Sequence, residues 1–131
     1  MADMLLPGPA DSALAAAEAE LRAFALTFPE TAEDYPWGQP TAKVRGKAFV
    51  FFGRPGDGSL RFSVKLPQTA PEALSLPFCT PTGYGLGKAG WVTVRFTPGE
   101  EVLLGWLKAW IGESYRAVAP KKLVKALDGA N

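Results

Sequence analysis

Arg61, Ser63 and Lys65 alternate with Leu60, Phe62, Val64 and Leu66 in "LRFSVKL", residues 60–66. Trp91, Thr93 and Arg95 alternate with Val92, Val94 and Phe96 in "WVTVRF", residues 91–96. In a strand, alternate side chains point to opposite faces. With both apolar sets turned to a core, the other face presents three cations, two hydroxyls and a tryptophan. Cations in such a row follow a phosphate backbone, and an exposed Trp91 stacks on an unpaired base. Lys43, Arg45 and Lys47 in neighbouring runs, with Arg54 and Lys88 in loops, add to the same charge. An open sheet face must also be polar, and Lys and Arg discourage edge-to-edge pairing. The same residues therefore also fit simple solvation.

The charge is unevenly distributed. Net charge is only +1, but residues 1–40 carry seven acidic side chains and one basic, a net −6. Residues 41–99 carry eight basic and two acidic, a net +6. Such polarity predicts weak, sequence-tolerant DNA binding, opposed by the field of the acidic third.

Other chemistry is sparsely represented. The chain has no histidine and one cysteine, Cys79. That removes Ser-His-Asp and Cys-His nucleophiles, histidine metal ligands and any internal disulfide. "EDYPWG", residues 33–38, sets Tyr35 and Trp37 at a corner, where they either plug the end of the core or face a ligand. Tyr35, Trp37, Tyr84 and Trp91 form the aromatic set for an alternative small-molecule or peptide pocket. Glu33 and Asp34 are adjacent, so they do not converge as paired carboxylates on one regular element would. "GYGLGKAG", 83–90, lacks the GxxxxGK[ST] pattern and leads into a strand, so no phosphate loop is expected. A loop there could still clamp a ligand beside the basic face. These residues predict no enzyme activity, no cofactor and no metal.

The elements that must position these residues form an α+β order. Pro7, Gly8 and Pro9 leave residues 1–10 irregular, and Asp11 or Ser12 offers an N-cap. Leu14, Ala17, Leu21, Phe24, Ala25 and Phe28 recur at helical spacing up to Pro29. Strand-like runs follow at 41–45, 48–52 and 60–66, the first two joined through Gly46-Lys47. A short helix is predicted over 69–76, a Pro- and Gly-rich loop over 77–90 and a strand over 91–96. A helix over 100–118 shows a stripe of Val102, Leu103, Trp106, Trp110, Ile111, Tyr115 and Val118, and a short helix closes the chain at 120–127. At 131 residues the chain predicts a single domain, an antiparallel sheet with one face covered by the N-terminal helix and the long C-terminal helix. The start, "MADMLLPGPADS", lacks a basic n-region, and no run approaches the roughly 18 apolar residues of a membrane span. A cytoplasmic monomer is the expectation.

Five segments, "FPETAEDYPWG", "KVRGKAFVFF", "FSVKL", "TPTGYGLGKAGWVTV" and "ESYRAVAPKKL", together resemble the MmcQ/YjbR family, small bacterial proteins with a frataxin-like (CyaY-like) double-wing fold. The resemblance runs from Ala15 to Leu127 and rests on the order of the five segments. It implies DNA binding and names no catalytic residue. This chain departs from the family pattern in "GYGLGKAGW", where relatives often carry histidines around the position of Leu86.

Overall fold

A computed structural model describes residues 9–36, 38–53, 58–83 and 85–128. Arg54, Trp37 and Tyr84, all named above, lie outside the described residues, as does the segment 1–8.

Helix α1 spans Pro9–Ala25. It opens earlier than a cap at Asp11 or Ser12 would place it, because proline is tolerated in a first helical turn, where its missing N–H has no partner to lose. Six strands follow: β1 Thr31–Asp34, β2 Thr41–Val44, β3 Lys47–Phe52, β4 Leu60–Lys65, β5 Cys79–Pro81 and β6 Trp91–Phe96. Between them lie α2, Ala70–Ala73, and a 3-10 turn, Leu86–Ala89. Helices α3, Leu104–Val118, and α4, Lys121–Asp128, complete the chain. The strands form one antiparallel sheet in the order β1-β2-β3-β4-β6-β5.

Two strands are additions to the sequence expectation. β1 reads "TAED" and β5 reads "CTP". Neither has β-branched or aromatic enrichment, and Pro81 is acceptable only at an edge. Each is a strand because a stronger neighbour, β2 or β6, offers it a ladder. The β2–β3 hairpin also turns one residue earlier than expected, at Arg45-Gly46, with φ of 49° and 81°. Two consecutive positive φ values suit the turn that matches strand twist, and glycine supplies the second without strain.

Leu60, Phe62, Val64, Val92, Val94 and Phe96 are all buried, as the alternation predicts. Register shifts between Ala42 and Lys43, so that Ala42 faces Val50 while Lys43 faces Ala48. Phe49 is the extra residue, and both Phe49 and Val50 are fully buried. A bulge of this kind breaks alternation and frees backbone groups from the ladder.

α3 supplies the missing partner. Ser114, itself fully buried, donates from Oγ to the Phe49 carbonyl at 2.5 Å and accepts from the Lys65 amide at 2.8 Å. Its neighbours anchor two further segments. Tyr115 donates to the Pro29 carbonyl at 2.9 Å, stacks on Phe28 and meets Phe49 edge-on. Glu113 accepts from the Gln68 and Thr69 amides and from the Thr69 hydroxyl, capping the entry to α2.

The buried stripe of α3 is Leu107, Trp110, Ile111, Ser114 and Tyr115, the i, i+3, i+4, i+7, i+8 pattern of one helix face. Trp106, expected in that stripe, is 54% exposed. The helix starts at Leu104 rather than residue 100, and Trp106 stands about 100° round from Leu107, which takes it to the margin of the stripe.

Two stability measurements follow from this packing. Ser114→Ala orphans two backbone groups and should cost about 1–3 kcal/mol for each, read by urea denaturation. Trp110→Ala should cost about 3–5 kcal/mol by emptying a large core site, whereas Trp106→Ala should stay within about 1 kcal/mol, as surface positions do. Equal losses for the two tryptophans would contradict this placement of the stripe.

Candidate ligand-binding face of the sheet

The face turned away from α1 and α3 is built by register. β4 and β6 pair Arg61 with Arg95, Ser63 with Thr93 and Lys65 with Trp91. β3 adds Phe51 opposite Ser63, and β5 adds Thr80 opposite Thr93. Side chains on paired strands lie about 5 Å apart at directly opposed positions, so three rows cross the sheet. One is a pair of guanidinium groups. The next is a polar row flanked by Phe51 and Thr80. The third joins Lys65 to Trp91.

The middle row is a hydroxyl chain. Thr93 Oγ1 lies 2.8 Å from Ser63 Oγ and 2.9 Å from Thr82 Oγ1. The Arg61 guanidinium lies on the backbone of Gly53, where an added Cβ would come within 2.5 Å of Nε. Only glycine admits the side chain in this position. Two cavities open on the face. One, of about 500 Å³, is lined by Arg61, Phe78, Thr80, Thr93, Arg95 and Glu100 among others. The other, of about 370 Å³, is lined by Phe51, Gly53, Arg61, Ser63, Thr82 and Thr93 among others.

The structure separates the cations named in the sequence. Arg61 and Lys65 are half-buried on this face and Arg95 is exposed on it. Lys47 and Lys88 are exposed at the start of β3 and in the 3-10 turn. Lys43 and Arg45 are neutralised. Lys43 Nζ contacts Asp34 Oδ2 at 2.8 Å, and Arg45 Nε contacts Glu30 Oε1 at 2.7 Å. Hydrogen bonds from Lys43 and from the Tyr35 amide hold Asp34 below the usual carboxylate range, and the bond from Arg45 does the same for Glu30.

Trp91 does not offer a ring for stacking. It is 8% exposed, and Phe51 packs on it at 5.3 Å between centroids. Alternation assigns the face but not whether a neighbouring aromatic covers the side chain.

Of the aromatic set, Tyr35 and Trp91 lie apart. Tyr35, half-exposed, hydrogen-bonds through its hydroxyl to Arg22 and Glu33. Arg22 of α1 grips Glu33 with two bonds of 2.9 and 2.8 Å, and the Glu33 bond raises the Arg22 pKa above its ordinary value. Tyr35 thus neither plugs the core nor meets Trp91; β1 and β6 are separated by three strands, roughly 19 Å at the usual strand spacing. Glu33 and Tyr35 join this corner to α1 through Arg22. Burial pushes the Cys79 thiol up to about 11, so it is protonated and unreactive at neutral pH. Sequence reasoning missed Gly53, Phe51, Thr80 and Thr82. The hydroxyls were visible as threonines in "TPTGY", but nothing local revealed that β5 brings them to Thr93.

The YjbR family model matches residues 26–117. The chain belongs to the YjbR family. The matched span runs from the end of α1 to the last turn of α3 and contains the whole sheet. A search of curated proteins finds no match. Among solved structures, the crystal structure of a Pseudomonas syringae protein from a structural genomics consortium superposes with a TM-score of 0.57 at 17% identity. The alignment covers 76% of this chain and 97% of that one, and at that identity it speaks to the fold alone. No helix among the described residues is long and apolar enough to cross a membrane.

The ion pairs have a checkable pH dependence. Glu30 and Asp34 have folded pKa values below their unfolded ones. Their pairs therefore stay closed above the ordinary carboxylate range of about 4 and open as pH falls through the depressed values. Carboxyl resonances followed by NMR should titrate below the ordinary range for both residues. Asp34→Asn should free Lys43 at neutral pH.

Proposed function

We propose that this YjbR-family protein is a non-catalytic module that binds nucleic acid, and DNA in particular, through the outer face of its sheet. One observation carries the proposal: Arg61, Lys65 and Arg95 share a single face, fixed by the β4–β6 register. Much of the acidic charge is engaged elsewhere. Glu18 and Glu33 are turned to Arg22, Glu20 to Lys108 on α3, and Glu113 caps α2. A cluster of cations on one face, with many carboxylates paired elsewhere, attracts a polyanion without needing a large net charge. The burial of Trp91 removes the stacking contribution, so contacts to phosphates dominate and sequence preference is slight.

The test is a titration of labelled single- and double-stranded DNA at low salt. Affinity should fall with salt by a log–log slope of about 0.9 for each phosphate neutralised. Reversing Arg61, Lys65 and Arg95 to glutamate should abolish binding while the far-UV spectrum is retained. Asp34→Asn and Glu30→Gln, which release Lys43 and Arg45, should strengthen it. Unchanged affinity in the triple reversal would remove the sheet face from consideration. Absence of binding by the wild type at tens of micromolar, roughly the non-specific range, would remove nucleic acid as the partner.

A further inference from the structure

We infer that the outer face contains one discrete site for a phosphomonoester group, built from Arg61, Arg95 and the Thr93-centred hydroxyl chain. The inference rests on the proposed anion-binding role of this face and narrows it from a diffuse surface to a defined place.

Arg61 is the organising residue. It lines both cavities, and Thr93 is the other residue common to them. Its guanidinium is laid against Gly53, where an added Cβ would meet Nε at 2.5 Å and push the group aside. A long arginine side chain ordinarily loses much conformational freedom on gripping a ligand. Here the fork is already supported by the backbone beneath it. A planar guanidinium presents donors in the fork geometry that matches phosphate oxygens. Arg95 is its register partner on β6, and both line one of the two cavities, so two guanidinium-bearing side chains border one space.

The hydroxyls add a proton to be donated. Ser63, Thr93 and Thr82 own three O–H hydrogens between them. Two are used in the contacts Ser63–Thr93 and Thr93–Thr82. One remains for an acceptor outside the chain, and the hydroxyls can rotate to present it. Thr80, exposed in the same row, supplies a further donor. Two guanidinium groups with hydroxyl donors form an oxygen-seeking set suited to a dianion.

The surroundings limit what carries the phosphate. Each cavity, at about 500 and 370 Å³, falls in the size range of small-molecule sites. Their walls include Phe51 on one side and Phe78 on the other, the latter half-buried and stacked on Phe96 at 4.6 Å. Glu100 closes the Arg95 end with a carboxylate; its Oε1 accepts from the Thr97 amide at 2.6 Å and from the Thr97 hydroxyl at 2.8 Å. Its charge opposes an incoming anion, so Glu100→Gln should tighten binding. The phosphomonoester comes either from the 5′ end of a nucleic-acid strand or from a free mononucleotide.

The experiment follows backbone and Arg side-chain NMR signals during titration with inorganic phosphate, a 5′-mononucleotide, its nucleoside, and one oligonucleotide with and without a 5′-phosphate. Phosphate and the mononucleotide should move Arg61, Thr80, Thr93 and Arg95, and the nucleoside should not. Arg61→Lys keeps the charge but loses the fork, and should weaken binding by about tenfold or more. Gly53→Ala displaces the Arg61 guanidinium without altering charge and should have a similar effect, with thermal melts reporting that both variants are folded. Shifts spread evenly over Lys47, Lys88 and the other exposed lysines, or unchanged affinity in both variants, would overturn the site. The 5′-phosphorylated strand outcompeting the mononucleotide assigns the source to nucleic acid, and the reverse order assigns it to a small molecule. Oligonucleotide binding indifferent to the 5′-phosphate and to Gly53→Ala would sink the site while sparing the nucleic-acid role. Mononucleotide binding without any oligonucleotide binding would do the opposite.

Discussion

Ser114 satisfies two backbone groups that the sheet cannot satisfy for itself, the carbonyl at the β3 bulge and the amide at the end of β4. Buried backbone groups without partners are costly, so a hydroxyl at this position lets the bulge exist inside the core. The bulge in turn places Phe49 and Val50 together beneath α3. Glu113 and Tyr115, on either side, reach the start of α2 and the carbonyl of Pro29. Three consecutive residues thus anchor sheet, short helix and the exit from α1 to one helix. Their side chains diverge because successive helical positions are about 100° apart.

This anchoring fixes the orientation of the other face. Once α1 and α3 cover the apolar side, period-two alternation commits Arg61, Ser63, Lys65, Thr93 and Arg95 to the opposite side. A register slip of one residue would bury the cations and expose the core. The location of the basic face is therefore a consequence of core packing. Glu18, Glu20, Glu30, Glu33 and Asp34 of the first third are consumed differently, by pairing with Arg22, Lys43, Arg45 and Lys108. A sequence net charge near zero conceals this arrangement, in which much of the negative charge is held in pairs while Arg61 and Lys65 line the outer face.

Exposed ion pairs of this sort contribute little to stability. Their greater effect is on which cations remain to meet a ligand. Lys43 and Arg45 look equivalent to Arg61 and Lys65 in the sequence, since all four lie in or beside strands. Asp34 and Glu30 distinguish them, and they do so only because β1 forms and runs antiparallel to β2.

The sequence alone determined the α+β order, four of the six strands, the three principal helices and the side of the sheet to which each residue of β4 and β6 points. Those features depend on local periodicity, which a linear pattern carries in full. The five family segments in their order pointed to the same architecture, and the YjbR model match agrees with them. Tertiary structure decided the rest. β1 and β5 exist by pairing, Trp91 is covered by Phe51, and Trp106 stands exposed at the margin of the α3 stripe. The hydroxyl chain joins residues from β4, β6 and the segment after β5, and the glycine that supports Arg61 lies beyond the end of β3. Such neighbours are set by ladder register and loop closure, which bring together positions that share no local pattern. A period identifies the face of a strand; only the fold determines which side chains meet there.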